Sequence, residues 1–459
     1  MGDMSRRRFL TRSAALAGGA TLASVTACTG DTDDAADPNG RGSRSTAGAF
    51  DPGDWGSVRD QFPLTRELSH FAAFALAAHP APVAAAIDRH RKGLDRDTHG
   101  YLTEHEVDNE IAVRAAAAEY LDVAGGEVAL TDSTTMGLGL LYGGLRLRAD
   151  QEVVTTEHDF YSTHEALRLR SERTGTKVSR VRLYDSAADA SADEIVGRLL
   201  AAVTTKTRAV AVTWVHSGTG VKLPIAAIAD GLRDLNAGRD ADDRALLCVD
   251  GVHGLGVENV TAAELGCDFL VAGTHKWLFG PRGTGIVWGS AQAWQAVDVA
   301  IPPFEPVSYV AWVEGRAPTG QEPGFTGTPG GYHSFEHRWA LAEAFRFHLD
   351  IGKAAIAERT HEQATGLKEG LTELGVTVVT PMSPELSAGI VCVRVGAPEE
   401  TLGRLSGAGI SAGMTPYAEP YVRFGPSIVT SPREVDGLLE AISDGAVGYL
   451  RPRSGTIAS

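Results

Sequence analysis

Three short segments of this 459-residue chain carry residue types that do chemistry when they converge. In Asp250-Gly251-Val252-His253 an acid closes the apolar run ALLCVD. A carboxylate at a buried strand end is costly unless a cationic group faces it. In Thr274-His275-Lys276-Trp277-Leu278-Phe279-Gly280, just after the run FLVAG, a lysine stands between a histidine and a tryptophan. Desolvation in such a place lowers an amine's pKa, as Schiff-base formation at neutral pH requires. In Asp132-Ser133-Thr134-Thr135-Met136-Gly137, hydroxyl residues open a helical pattern from Gly137 to Leu147. Hydroxyls and backbone N–H groups at a helix N-terminus suit a phosphate. Taken singly, each segment has a plainer reading: a capping acid, a solvated loop lysine, an N-cap threonine pair.

Positioning these groups together falls to an alternation of helical patterns and short apolar runs. Residues Pro80 to Asp95 and Glu104 to Tyr120 have helical spacing; Glu152–Thr156, Ala209–Val215, Ala245–Asp250 and Phe269–Ala272 read as buried strands. That order predicts an α/β large domain with a mostly parallel sheet covered by helices. After a Pro/Gly-rich passage, Ile301 to Gly331, come two long helical patterns, Phe335–Asp350 and Lys353–Leu374. A smaller α+β unit follows, with strands near Val376–Thr380, Gly389–Val395 and Tyr421–Phe424. The expected division is a large domain over 54–330, whose first part packs on the small domain, and a small domain over 331–459. In open α/β sheets ligands bind beyond the carboxyl ends of the strands, where Asp250 and Lys276 fall. Together the segments offer a phosphate cradle, an acid and an activated amine, the parts that pyridoxal 5'-phosphate requires.

Composition narrows the class. Lys+Arg 42 against Asp+Glu 58 gives a formal charge of -16, which disfavours binding to nucleic acid by phosphate neutralisation. Four cysteines are too few for a disulfide scaffold, and Cys248, Cys267 and Cys392 sit in apolar contexts as buried thiols. The first 27 residues read as a signal peptide: Ser5-Arg6-Arg7-Arg8-Phe9-Leu10 matches the twin-arginine export pattern, and an apolar stretch runs from Ala14 to Val25. Val25-Thr26-Ala27-Cys28 resembles a lipoprotein box, so Cys28 is the expected lipidation site at the outer face of the cytoplasmic membrane; cleavage near Ala27 without a lipid would leave the protein secreted or periplasmic. Residues 28–53, rich in Asp, Gly, Ser and Thr, read as a disordered tether. The acidic run Arg239 to Arg244 reads as a solvated loop, and no metal is assigned.

From about Asp54 to Val447 the sequence resembles the class V aminotransferase-like enzymes of the type I pyridoxal-phosphate fold, a group that includes cysteine desulfurases and isopenicillin N epimerases. The resemblance implies Lys276 as the Schiff-base lysine, Asp250 as the acid on the pyridinium nitrogen, and His275, Thr134 and Thr135 as phosphate ligands. It further implies His158 as the ring stacked on the cofactor and Thr328, in Gly327-Thr328-Pro329, as a phosphate contact reached across a homodimer interface with shared active sites. Arg423, in YVRFGPS, matches the arginine that holds a substrate carboxylate.

Departures from the family pattern bear on the reaction. Ser217 stands where relatives carry Asn near the cofactor's phenolic oxygen. Gly273 replaces a serine, which leaves Thr274 to supply that hydroxyl. His253 stands at a usual Gln, either as a proton shuttle near Lys276 or as a hydrogen-bond partner of the cofactor oxygen. Phe160, Tyr161 and His164 are candidates to shape the pocket, with packing as their plainer role. The loop GISAGMTPYAEPYVR lacks the cysteine that a desulfurase of this group uses to attack sulfur. The expected activity is therefore chemistry at the Cα of an amino acid or amino-acid derivative, of epimerase or aminotransferase type. A C–S lyase without a persulfide, and an exported binding lipoprotein that kept the fold, are the alternatives. A hydrolase finds no support from a metal-protease signature, since H-E-x-x-H does not occur.

Overall fold

A computed structural model describes residues 50–443. The twin-arginine pattern, Cys28 and the expected tether up to residue 49 lie outside the described residues. Packing begins ahead of the expected start at Asp54: the Phe50 ring stacks on Phe347 at 5.3 Å. Helix α1 (Trp55–Asp60) is capped by the Asp54 carboxylate, which accepts from the Gly56 and Ser57 N–H groups. Strand β1 (Ser69–His70) precedes α2 (Ala81–Arg96) and α3 (Thr98–Leu121). The second helix starts earlier than its apolar spacing suggests because Asp97 caps it through Gly100 N–H.

The central sheet is then built by β2 (Val128–Thr131), α4 (Thr134–Gly144), β3 (Glu152–Thr156), α5 (Tyr161–Thr174), β4 (Lys177–Val181), α6 (Ala192–Ala201), β5 (Thr207–Thr213), α7 (Ile225–Leu235), β6 (Leu246–Asp250), α8 (Ala262–Leu265), β7 (Phe269–Gly273) and β8 (Gly285–Gly289). Its order is β2-β8-β7-β6-β5-β3-β4. Neighbours are parallel except at β8, which runs antiparallel to both β2 and β7. Strands β3, β5, β6 and β7 are buried along their whole length, which is why they read as continuous apolar runs and not as alternating ones. Register pairs Thr213 with Asp250, and Asp250 with Val271, so the carboxyl ends of β5, β6 and β7 form one edge.

After α9 (Ala291–Trp294), α10 (Pro306–Val313) and α11 (Pro323–Thr326), the chain enters α12 (Phe335–Ile351) and α13 (Lys353–Glu373). Helix α12 packs on α2 and α3 and supplies Leu341, Phe345 and Phe347 to the large core. Gly352, whose φ of 94° suits a residue without a Cβ, turns the chain between the two long helices. The small unit comprises α13, β9 (Thr377–Val378), β10 (Val391–Arg394), α14 (Pro398–Gly407), β11 (Ile410–Ser411), β12 (Gly413–Met414), β13 (Val422–Phe424) and α15 (Pro432–Ser443). Its antiparallel sheet has the order β12-β13-β10-β9. Strand β1 joins this unit from the far end of the chain by pairing in parallel with β11, and Phe71 packs edge-on against Phe424. No helix among the described residues is long and apolar enough to cross a membrane.

Candidate active site

The loop after β7 carries Lys276 to the edge formed by β5 and β6. There it shares a cavity of about 200 Å³ with Asp250, His253, Arg423, Phe74 and Phe160. Burial lowers the Lys276 ammonium to about 8; Asp250 opposes the shift and Arg423 adds to it. Asp250 is buried at 2% exposure, and desolvation raises its carboxyl to about 6, although the Val252 N–H donates to it at 3.1 Å and Lys276 pulls the other way. Arg423 lies on β13 with its guanidinium 3.9 Å over the Phe74 ring, and Nη1 donates to the Ser217 carbonyl at 3.0 Å. Its Nε is buried without a partner. These contacts fix the plane of the fork while the rest of the guanidinium faces the cavity.

The residues expected to hold the phosphate meet around Gly273. Ser133 caps α4 through Met136 N–H, so Thr134 and Thr135 head an 11-residue helix. The Thr134 hydroxyl accepts from Gly273 N–H at 2.7 Å, and those of Thr135 and Ser162 lie 2.9 Å apart. A Cβ on Gly273 would stand 2.9 Å from His275 Cε1 and 3.0 Å from Thr134 Oγ1. The missing side chain is what lets the histidine and the helix start close on one another. A buried acid that needs an N–H⁺ partner, a desolvated amine and a polar helix start fit pyridoxal phosphate.

Several expected residues are placed differently. His158 is off the cavity: its ring stacks on Tyr184 at 3.9 Å and its Nε2 accepts the Leu183 N–H at 3.2 Å. Burial, with His216 adding to it, lowers its pKa to about 3, so it stays neutral. The ring of that segment lining the cavity is Phe160, because Asp159 turns inward to accept from Thr155 Oγ1, Thr156 N–H and Thr213 N–H, each at 2.7 Å. Thr274 does not replace the family serine: it is fully buried, with its hydroxyl 2.6 Å from that of Thr284. The Thr328 hydroxyl is already saturated within its own chain, accepting from Arg114 Nη2 and Leu130 N–H and donating to the Gly324 carbonyl. His253 cannot act as a base through its cavity-side nitrogen, because Trp277 Nε1–H donates to Nδ1 at 3.0 Å and so places the proton of the neutral ring on Nε2. Ser217 does reach the cavity, yet its hydroxyl is 2.9 Å from that of Tyr417.

Tyr417 and Phe74 were not singled out from the sequence. Tyr417 lies in the cysteine-free loop before Arg423, where its residue type could have been weighed; Phe74 belongs to an N-terminal stretch with no periodic signal. Of the remaining candidates, Tyr161 is 68% exposed and points away, and His164 is spent on the Thr156 carbonyl at 2.8 Å.

A type I fold that brings a desolvated lysine, a buried strand-end acid and a fixed guanidinium to one cavity defines a pyridoxal-phosphate enzyme. The chain belongs to the class V aminotransferase family, whose model (Aminotransferase class-V) matches residues 86–411. It is similar to isopenicillin N epimerase of Streptomyces clavuligerus, 27% identical over 333 residues, covering 69% of this chain and 79% of the relative. A probable cysteine desulfurase of Pyrococcus abyssi is 25% identical over 354 residues, covering 74% and 81%. Among solved structures, an apo cysteine desulfurase from Thermococcus onnurineus superposes with a TM-score of 0.73 at 21% identity, covering 86% of this chain and 98% of that one. The cystine C–S lyase C-DES in complex with cysteine persulfide gives 0.74 at 20%, covering 84% and 99%. Both likenesses are of fold.

Proposed function

We propose that this pyridoxal-phosphate enzyme breaks and remakes the Cα–H bond of an amino acid or amino-acid derivative, as an epimerase or aminotransferase. The observation that carries the reading is the convergence of Lys276, Asp250 and Arg423 on a cavity without a thiol. Among the described residues the cysteines are Cys248, Cys267 and Cys392, all buried, none lining the cavity, and each with its pKa raised by desolvation. Attack on a substrate sulfur has no nucleophile here.

The bound cofactor supplies an electron sink for the pair left when the Cα proton departs. Asp250 would hold the proton on its ring nitrogen, where the buried carboxylate gains a cationic hydrogen-bond donor. Arg423 takes the substrate carboxylate in a bidentate pair, which orients Cα toward Lys276. Lys276 Nζ, held low in pKa, accepts and returns the proton. His253 would donate through Nε2–H, while Thr134, Thr135 and His275 would hold the phosphate. Phe160, which lines the cavity, would cover the bound ring. The test is proton–deuterium exchange at Cα across a panel of L- and D-amino acids in D2O. Exchange without sulfide release supports the reading; sulfide release from cysteine without Cα exchange refutes it.

The same reading includes a homodimer. Phe304, Tyr309, Trp312, Val313 and Tyr332 expose 53–80% of their surface along α10 and its flanks, an apolar patch of the kind that a partner covers. Export by the twin-arginine route with lipidation at Cys28 completes the proposal, resting on the sequence pattern alone. A tagged protein with Arg6→Lys and Arg7→Lys is expected to stay inside the cell; undiminished export would remove that part.

A further inference from the structure

Trp277 Nε1 is a donor only, so at 3.0 Å it obliges His253 Nδ1 to accept. The neutral imidazole then carries its proton on Nε2, 3.5 Å from Lys276 Nζ. An Nε2–H facing an ammonium would set two donors against each other, whereas facing an uncharged amine it finds a lone pair. The opposite arrangement, an ammonium donating to a bare Nε2, needs a proton on Nδ1, and the indole N–H occupies that place. The indole is itself clamped, since Cβ atoms added at Gly389 and Gly425 of the small unit would stand 2.8 and 3.1 Å from its Cη2.

We propose that Trp277 is a positioning residue that fixes His253 as the Nε2–H tautomer and thereby selects the uncharged, nucleophilic form of Lys276. The proposal deepens the reading of Lys276 as the cofactor-binding amine. The other charged groups at the pair act in opposite senses: Asp250 on β6 favours the ammonium, and Arg423 on β13 disfavours it. Arg423 and Lys276 together also hold His253 well below its ordinary pKa, after the dominant effect of burial. The indole contact adds direction to what burial and charge do without it, because it decides which nitrogen carries the hydrogen.

Two measurements test this. In apoprotein labelled with ¹⁵N-histidine, with the His253 signals assigned by comparison with His253→Gln, Nδ1 is expected bare and Nε2 protonated from pH 5 to 9. A protonated Nδ1 in the wild type overturns the proposal and leaves the functional reading standing. In the second, Lys276 is trapped by borohydride after addition of pyridoxal phosphate, and the rate is followed against pH by peptide mass. Trp277→Phe, which keeps an aromatic ring and loses the N–H, is expected to move the midpoint up by about one unit, a roughly tenfold slower capture below it. In a His253→Gln background the same change is expected to do nothing, because the amide donates with or without the indole. An equal shift in both backgrounds, or none in the wild-type background, refutes the positioning role. No capture in the wild type would instead refute the functional reading, while the nitrogen signals still decide the tautomer.

Discussion

Asp250→Asn separates the cost of the buried acid from its use. The carboxyl sits near 6 against the 3.8 of an ordinary aspartate, chiefly through desolvation. A shift of about 2 units is about 3 kcal/mol at 1.36 kcal/mol per unit. The sign follows from the protonated form being the one that the fold favours. Asp250 weighs least on the apoprotein below pH 3.8, and stability is lost as pH rises through about 6. Asparagine keeps an acceptor for the Val252 N–H and cannot ionise. The variant apoprotein is therefore expected to be more stable than wild type by up to about 3 kcal/mol at pH 8, with the difference closing toward pH 4. Urea unfolding of both apoproteins at pH 8 and pH 4.5 reads this directly. The variant should also lose turnover, since asparagine cannot hold a proton on the ring nitrogen. A variant less stable than wild type at pH 8, or a difference that ignores pH, would refute the account of a carboxylate strained by burial and kept for the cofactor.

Arg423→Lys keeps the charge and loses the fork, and is expected to cost one charge-assisted hydrogen bond, about 10- to 100-fold in kcat/KM for Cα exchange, with unfolding free energy little changed; unaltered kcat/KM would remove the carboxylate from Arg423. Phe160→Ala should weaken cofactor affinity about 2- to 10-fold. His158→Ala should leave that affinity alone and cost about 1–3 kcal/mol of stability, because the Leu183 N–H loses its acceptor; equilibrium dialysis and urea titration of the pair distinguish the two, and the reverse pattern would restore His158 to the cofactor. Gly273→Ser, despite bringing in the family's residue, is expected to push His275 aside and to lower cofactor affinity with a stability cost of about 1–3 kcal/mol, measured in the same two assays; tighter cofactor binding would show the cradle to be open.

What the sequence disclosed is what burial writes into residue order. Strands β3, β5, β6 and β7 are buried on both faces, so each was legible as a run, and the groups that close β6 and follow β7 were found from those runs. Strand β8 was missed because GIVWG follows a glycine-rich turn and runs against its neighbours, a direction that composition does not encode. The edge strand β4, KVSRV, is half exposed and carries charges, and so has no apolar run to find. Within the site, residue type located Lys276, Asp250 and Arg423, but hydroxyl bookkeeping was out of reach. Whether Thr274 or Thr328 had a hydroxyl to spare depends on Thr284 and Arg114, which lie distant in sequence or around a turn. His158 and Phe160 are two residues apart, and the inward turn of Asp159 chose between them through a hydrogen bond to Thr213 on another strand.

The parallel pairing of β1 with β11 sets the order in which this molecule can be made. All seven strands of the central sheet precede residue 290, so a nascent chain released to that point already holds the scaffold. The cavity does not yet exist, because Phe74 and Ala75 follow a strand whose partner at Ile410–Ser411 is among the last segments synthesised. Contacts between segments this far apart in sequence form late, because the closure entropy must be met before the pairing rewards it. Until the pairing occurs Phe71 has no Phe424 to pack on, and Phe74 has no Arg423 over its ring. Truncation upstream of β11 would remove Pro416 and Arg423 and with them one wall of the cavity.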